Sequence, residues 1–285
     1  MKKLLYICLF TSLFAVSCKT YDYMPLSIVI KPDFSTIDFH NVSYGQDPKQ
    51  TMDVYFPKNA ETSEKSKTII LIHGGSWISG DKIKMNSWVN VFKDRFPDYA
   101  IVNINYRLAT PSSPAFPKQI DDIEKAIQYL ERNYPVTQEY ALLGVSAGAH
   151  LAMLYSYKSD VTHKVKAVCD IVGPADFTDP AYTSHKLYDF AAMNLTGSAS
   201  PTAREIYNLS PIEYITPQSP PTIMFYGSRD PMVPSTQGYR LKDKLDEQGV
   251  YNIQNLYVNG GHGNWGEATL NEVQDQAVAF IKEFL

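Results

Sequence analysis

From Val42 onward the chain alternates between two hydrophobic patterns. Short runs rich in aliphatic, β-branched and aromatic residues fall near 51–56, 68–73, 100–106, 140–145, 166–172, 221–227 and 252–258, and predict strands. Between them, apolar positions recur every three to four residues near 84–95, 117–133, 147–157, 235–248 and 267–284, and predict helices. The clearest is the second. Ile120, Ile123, Ile127 and Leu130 share one face, Asp121, Asp122, Glu124 and Lys125 lie largely opposite, and Pro117 suits a first turn. The Asp121-Asp122 pair reads as a solvated helix flank rather than a metal site. Strands alternating with helices predict an α/β fold, a mostly parallel sheet flanked by helices. Between Gly173 and Pro220 the alternation lapses. Residues 177–216, with Tyr182, Tyr188, Phe190 and Tyr207 among prolines, are expected to form a short cap between the later strands.

The amino terminus follows a different pattern. Met1-Lys2-Lys3 precedes an apolar run from Leu4 to Val16, too short to span a bilayer comfortably and of the form of an export signal. The expected organisation is therefore a leader over 1–17, a tether and edge segment over 18–39, and one catalytic domain over 40–285. Of three cysteines, Cys8 lies in the leader and Cys169 in a predicted strand, while Cys18 directly follows Ala15-Val16-Ser17. Cys18 resembles the lipidation site of a bacterial lipoprotein, although Ala15 stands where leucine is usual; an ordinary cleaved signal is the alternative. The expectation is an exported protein held at a bacterial membrane only through its lipid anchor, with the leaflet undetermined.

Candidate chemistry sits at the ends of the predicted strands, where active sites of open α/β sheets collect. The run Leu142-Leu143 enters Gly144-Val145-Ser146-Ala147-Gly148, the spacing of a nucleophile elbow. Downstream, Asp230 follows the predicted strand ending at Gly227, and His262 follows the last one between Gly261 and Gly263. Ser, then Asp, then His is the order an acyl-transfer triad takes on such a sheet, with His262 as base and Asp230 as its orienter. The other histidines suit that role less well. His40 and His185 have no predicted strand before them, His163 lies in a polar stretch, and His150 is one helical turn beyond Ser146. The strand over 68–73 runs into His73-Gly74-Gly75-Ser76-Trp77, an oxyanion-loop pattern. The expected donors are the N–H groups of Gly75, Ser76 and Ala147, with Gly74 the nearest competitor.

With these motifs in place the chain resembles the bacterial acetylxylan esterase/feruloyl esterase-like carboxylesterases of the α/β-hydrolase superfamily, related to the hormone-sensitive-lipase and arylformamidase families. The landmarks run from about Val42 to the carboxyl terminus. They include Met52-Asp53-Val54-Tyr55-Phe56-Pro57, the His73 loop with Gly80-Asp81-Lys82, Asn105-Tyr106-Arg107-Leu108, Phe116-Pro117, the Ser146 elbow through Leu151, and Gly173-Pro174-Ala175-Asp176. The resemblance implies an α/β-hydrolase fold and a secreted or surface serine esterase acting on acetyl or feruloyl groups of plant polysaccharide, with no cofactor and no metal. Two departures stand out: Ser76 replaces a common third glycine, and Val145 replaces a common Glu or Asp, which would alter the rim of the acyl pocket. Trp77 and Trp265 offer aromatic faces to a substrate or else brace their loops. Asp176 either meets a sugar hydroxyl or caps the following turn.

Charge narrows the partners. A net charge of −4 disfavours a nucleic-acid surface; it is the resemblance that implies acylated carbohydrate or a small ester as substrate. Two other readings stay open: an amidase or arylformamidase on the same triad, and a non-catalytic glycan-binding lipoprotein. Oligomeric state has no signature in the sequence.

Overall fold

A computed structural model describes residues 38–57 and 65–285. The expected leader, the Cys18 lipidation site and the tether up to residue 37 lie outside the described residues. Among the described residues, eight strands form one sheet in the order β1-β2-β4-β3-β5-β6-β7-β8. They are β1 (Asp38–Ser43), β2 (Thr51–Tyr55), β3 (Ser66–Ile72), β4 (Ala100–Ile104), β5 (Val136–Val145), β6 (Val165–Ile171), β7 (Thr222–Gly227) and β8 (Asn252–Tyr257). β2 runs antiparallel to β1 and β4, and every other neighbouring pair is parallel. This is the α/β-hydrolase architecture expected. The first strand starts at Asp38, at the end of the segment assigned to the tether and edge, lies at the margin of the sheet and carries His40.

The central strands are mostly apolar because both their faces are covered. Ile70, Ile72, Val102 and Leu142 belong to one layer of the core, and Ile69, Leu71, Ile101 and Leu143 to the other. The helices α1 (Asn86–Arg95) and α8 (Glu267–Phe284) supply Trp88, Phe92, Val273 and Ile281 to the second layer. On the first layer lie α2 (Lys118–Asn133), α3 (Ala147–Leu154) and α7 (Thr236–Glu247). Two helices differ from their expected extent. The chain before α1 makes a 3-10 turn over Lys82–Met85, where the Asp81 side chain accepts from the Ile83 N–H. After Leu154 the helix widens into a π-turn over Tyr155–Ser159. The expected cap is three short helices, α4 (Pro180–Thr183), α5 (Tyr188–Thr196) and α6 (Ala203–Leu209).

One expectation fails on α2. Asp121 is exposed, but Asp122 is fully buried rather than solvated. It receives the Arg107 guanidinium on both oxygens, the Arg107 backbone N–H at 2.8 Å, and the Gln50 side-chain N–H at 2.7 Å. A helical wheel treats charged residues as solvent-facing. It has no knowledge of a partner brought from a distant part of the chain.

Candidate active site

Ser146 occupies the turn between β5 and α3 with φ 54° and ψ −119°, a conformation L residues avoid. Two close approaches explain why glycines flank it. A Cβ on Gly144 would lie 2.3 Å from the Gly148 carbonyl carbon, and one on Gly148 would lie 2.1 Å from the Ile72 carbonyl oxygen. The Ser146 N–H donates to the Ile171 carbonyl at 2.7 Å, which holds the turn against β6.

Asp230 and His262 come from loops after β7 and β8. Those loops are stitched together: the Arg229 N–H donates to Gly260 O at 2.9 Å, and the Asn259 N–H to the Ser228 hydroxyl oxygen at 3.0 Å. Asp230 Oδ1 accepts from the Met232 and Val233 N–H groups at 2.7 and 2.9 Å, leaving Oδ2 for His262 Nδ1 at 2.7 Å. His262 Nε2 lies 2.8 Å from Ser146 Oγ. A carboxylate only accepts, so the Nδ1 position carries the proton and a neutral imidazole presents Nε2 as acceptor to the serine hydroxyl. The structure therefore brings together all three residues singled out by chain order.

The loop after β3 faces the same serine. Its turn is closed by the Ile78 and Ser79 N–H groups, which donate to Gly75 O at 3.2 and 3.0 Å. Ser76 and Trp77 take positive φ values of 50° and 65°. Among the described residues, the Gly74, Gly75 and Ser76 N–H groups have no acceptor, and Ala147, first in α3, has no intrahelical one. His73 serves the loop rather than the chemistry: its Nδ1–H donates to Gly74 O at 2.7 Å, and its ring stacks on Tyr106 at 4.3 Å.

The BD-FAE family model matches residues 52–245, well over half of the chain, including the His73 loop, Ser146 and Asp230. The chain belongs to the BD-FAE family. His262 lies beyond the matched residues. Esterase LipC of Mycobacterium tuberculosis is 26% identical over 240 residues, 78% of this chain and 59% of LipC. Kynurenine formamidase of Meyerozyma guilliermondii is 35% identical over 130 residues, 41% of this chain and 43% of that enzyme. The chain thus spans about three-fifths or less of the curated relatives it is compared with. A solved structure described as a truncated carbohydrate esterase from gut microbiota shares the fold, with a TM-score of 0.71 at 21% identity, over 87% of this chain and 96% of its own.

Two cavities of this BD-FAE member meet at Ser146. The larger, about 450 Å³, is bordered by Gly75, Met85, Trp88, His262, Trp265 and Leu270. The smaller, about 90 Å³, lies under the cap between Trp77, Tyr182, Leu187, Phe190, Ala191 and Val233. Ser76, Ser146 and Met232 border both. Val145 borders the larger cavity. Both tryptophans brace their loops and also wall a cavity. Trp265 Nε1–H donates to Gly261 O at 3.1 Å, and Trp77 Nε1–H donates to His150 Nδ1 at 3.1 Å.

His150 is a residue the sequence reading set aside. It is fully buried, and since Nδ1 accepts from Trp77, Nε2 carries the proton and donates to Leu209 O at 2.8 Å. One imidazole thus joins α3, the loop after β3 and the cap. Burial pulls its pKa down to about 4, keeping it neutral. Its signal was its place one turn after Ser146, which guarantees proximity to the loop after β3. Asp176 takes the capping role: it is fully buried, its Oδ1 accepts from the Thr178 N–H at 2.7 Å, and its Oδ2 pairs with Arg240. It is not free to meet a sugar. Among the described residues, no three His, Cys, Asp or Glu side chains gather as a metal site.

Proposed function

We propose that this protein is a serine carboxylesterase that removes small acyl groups from carbohydrate esters. The observation that carries the proposal is the Ser146–His262–Asp230 chain of contacts, 2.8 and 2.7 Å long, set beside backbone N–H groups with no acceptor of their own. Ser146 Oγ attacks the ester carbonyl as His262 Nε2 takes its proton. Negative charge develops on the carbonyl oxygen and is met by N–H groups of Gly75, Ser76 and Ala147. Each such donor is worth roughly 100- to 1000-fold in turnover. His262 then protonates the departing alcohol oxygen, leaving an acyl-serine. Water, deprotonated by the same imidazole, releases the acid and restores Ser146. Asp230 holds the tautomer and stabilises the imidazolium between these steps.

The ester reading is supported by the relative named an esterase over most of this chain. The carbohydrate part is supported by the tryptophan-walled cavity beside His262 and by a carbohydrate esterase that shares the fold. The test is acetate and ferulate release from acetylated xylan and feruloylated arabinoxylan, with an aryl acetate as a simple substrate. Ser146→Ala should lower turnover by about a millionfold, the size of loss known when a triad serine is removed. Activity that survives in that variant sinks the proposal. A second reading, cleavage of an aryl formamide, is favoured by the stretch resembling kynurenine formamidase. N-formylkynurenine hydrolysis faster than that of any acylated glycan would select it. Lipidation of Cys18 and export belong to the same proposal, and Cys18→Ser should release the protein from the membrane fraction.

A further inference from the structure

We infer that His150 is a positioning residue for the hydrolysis: from α3 it accepts the Trp77 indole N–H and so holds the loop after β3 in the strained shape that aims its N–H groups at the developing oxyanion. The inference rests on the esterase reading of Ser146. Ser76 and Trp77 both lie in the left-handed region, with φ 50° and 65°. For a residue as bulky as tryptophan that conformation is costly and persists only where neighbours over-determine it. Two anchors do so here. The Trp77 carbonyl accepts from the Ala109 N–H at 2.9 Å and from the side-chain N–H of the buried Gln119 at 2.8 Å. The Trp77 Nε1–H donates to His150 Nδ1 at 3.1 Å, and the indole packs against the His150 and Phe177 rings. The first anchor fixes the bond from Cα to the carbonyl carbon, and the second fixes the direction of Cβ. With both set, the position of the Trp77 nitrogen follows, and so does the path of the peptide that joins it to Ser76. Release of the indole frees rotation about the first bond, and the chain carrying the Gly75 and Ser76 N–H groups turns with it.

The connections of His150 itself suit it to this role. Its backbone N–H donates to the Ser146 carbonyl oxygen at 3.0 Å, the bond that opens α3. One residue therefore ties the nucleophile's turn through its backbone and the donor loop through its ring. That ring is held in turn: Nε2 donates to Leu209 O at 2.8 Å, and Phe177 packs against it edge-on with centroids 5.3 Å apart. Burial keeps the imidazole neutral, so Nδ1 stays an acceptor. The donors it positions matter most once charge has built up on the carbonyl oxygen, because a ground-state ester draws on them less. His150 should therefore act on kcat rather than on KM.

The experiment measures aryl acetate turnover together with inhibition by an alkyl trifluoromethyl ketone, which the nucleophilic serine adds to as a hemiketal whose oxyanion meets the same donors. His150→Phe keeps a ring of similar volume and removes both hydrogen bonds. Trp77→Phe breaks the same contact from the other end, and His150→Gln retains one acceptor and one donor. His150→Phe and Trp77→Phe should each lower kcat by about 10- to 100-fold, the scale of an ångström-sized misplacement. KM should change by less than about threefold, and ketone inhibition should weaken in parallel with kcat/KM. His150→Gln should recover most of the rate. The double variant should be no slower than the slower single one, because both remove one contact. Folded His150→Phe with wild-type kcat overturns the inference, as does a loss confined to KM with ketone inhibition unchanged. Where His150→Phe does not fold, Trp77→Phe decides by the same criteria. A wild type that hydrolyses no ester overturns the esterase reading, whereas an active wild type with indifferent variants overturns only the role of His150.

Discussion

Tyr226 has one hydroxyl proton and two oxygens within reach of it, Asp170 Oδ2 and Gly173 O, each at 2.6 Å. Both contacts are satisfied when Asp170 is protonated and donates to the tyrosine oxygen, which donates onward to Gly173. The other carboxyl oxygen accepts from the Gly173 N–H at 2.8 Å. Burial agrees, pushing the Asp170 carboxyl up to about 7 from an ordinary value near 4. The folded state then binds this proton more tightly than the unfolded chain. Its contribution is complete below about pH 4 and is lost as the pH rises through about 7. Asp170→Asn keeps the same donors and acceptors without the titration. Urea midpoints of the two proteins should therefore diverge across that window, with wild type losing ground to the amide variant as pH rises. Parallel curves would show that Asp170 is ionised throughout. Nothing in the run Val165–Ile171 distinguishes this aspartate from a solvated one, because its burial depends on Tyr226 from the next strand. Ser146, Asp230 and His262 were legible for the opposite reason: each lies within a few residues of the end of a strand, so strand order carries them to one edge.

At the scale of elements, the β5–Ser146–α3 turn depends on how closely α3 approaches β3. With a Cβ at Gly148 only 2.1 Å from the Ile72 carbonyl oxygen, Gly148→Ala must push the helix away from the strand. The expected cost is about 1–3 kcal/mol in a denaturation experiment, as for an overpacked core. The displacement also carries Ser146 from His262, so kcat should fall with KM less affected. Unchanged stability would mean that the approach relaxes without cost. The cap was the least legible part of the chain. Its helices α4 and α6, of 4 and 7 residues, are too short to show a full amphipathic period. One local signal was present nonetheless. Thr202 and Glu205 form a reciprocal capping box at the start of α6, a spacing recognisable without coordinates.

Across the molecule, the buried Asp122 ties α2 to the exit of β4 through Arg107 and to the turn between β1 and β2 through Gln50. Its side chain has no exposure, whereas that of Arg107 is 26% exposed. Removing the carboxylate leaves the Gln50 donor unpaired and the guanidinium without its counter-charge. Asp122→Ala should cost roughly 3 kcal/mol, the lower range for breaking a buried pair. Hydrolysis of an aryl acetate by the folded variant should be untouched, since Asp122 borders neither cavity. Thermal unfolding with aryl acetate turnover as a companion measurement checks both halves. A midpoint within a degree of wild type would assign Asp122 no structural weight.

Residue patterning was enough to read the order of strands and helices, the α/β class, and three functional groups placed where strands end. All of these are local: they depend on periodicity within a segment or on the residue that follows it. Packing between distant segments buries Asp122, links Trp77 to the cap through His150, holds Asp176 against Arg240, and leaves Ser146 between two cavities of unequal size. Each of those depends on residues far apart in the chain, and the space between packed segments has no counterpart in the spacing of residues along any one of them.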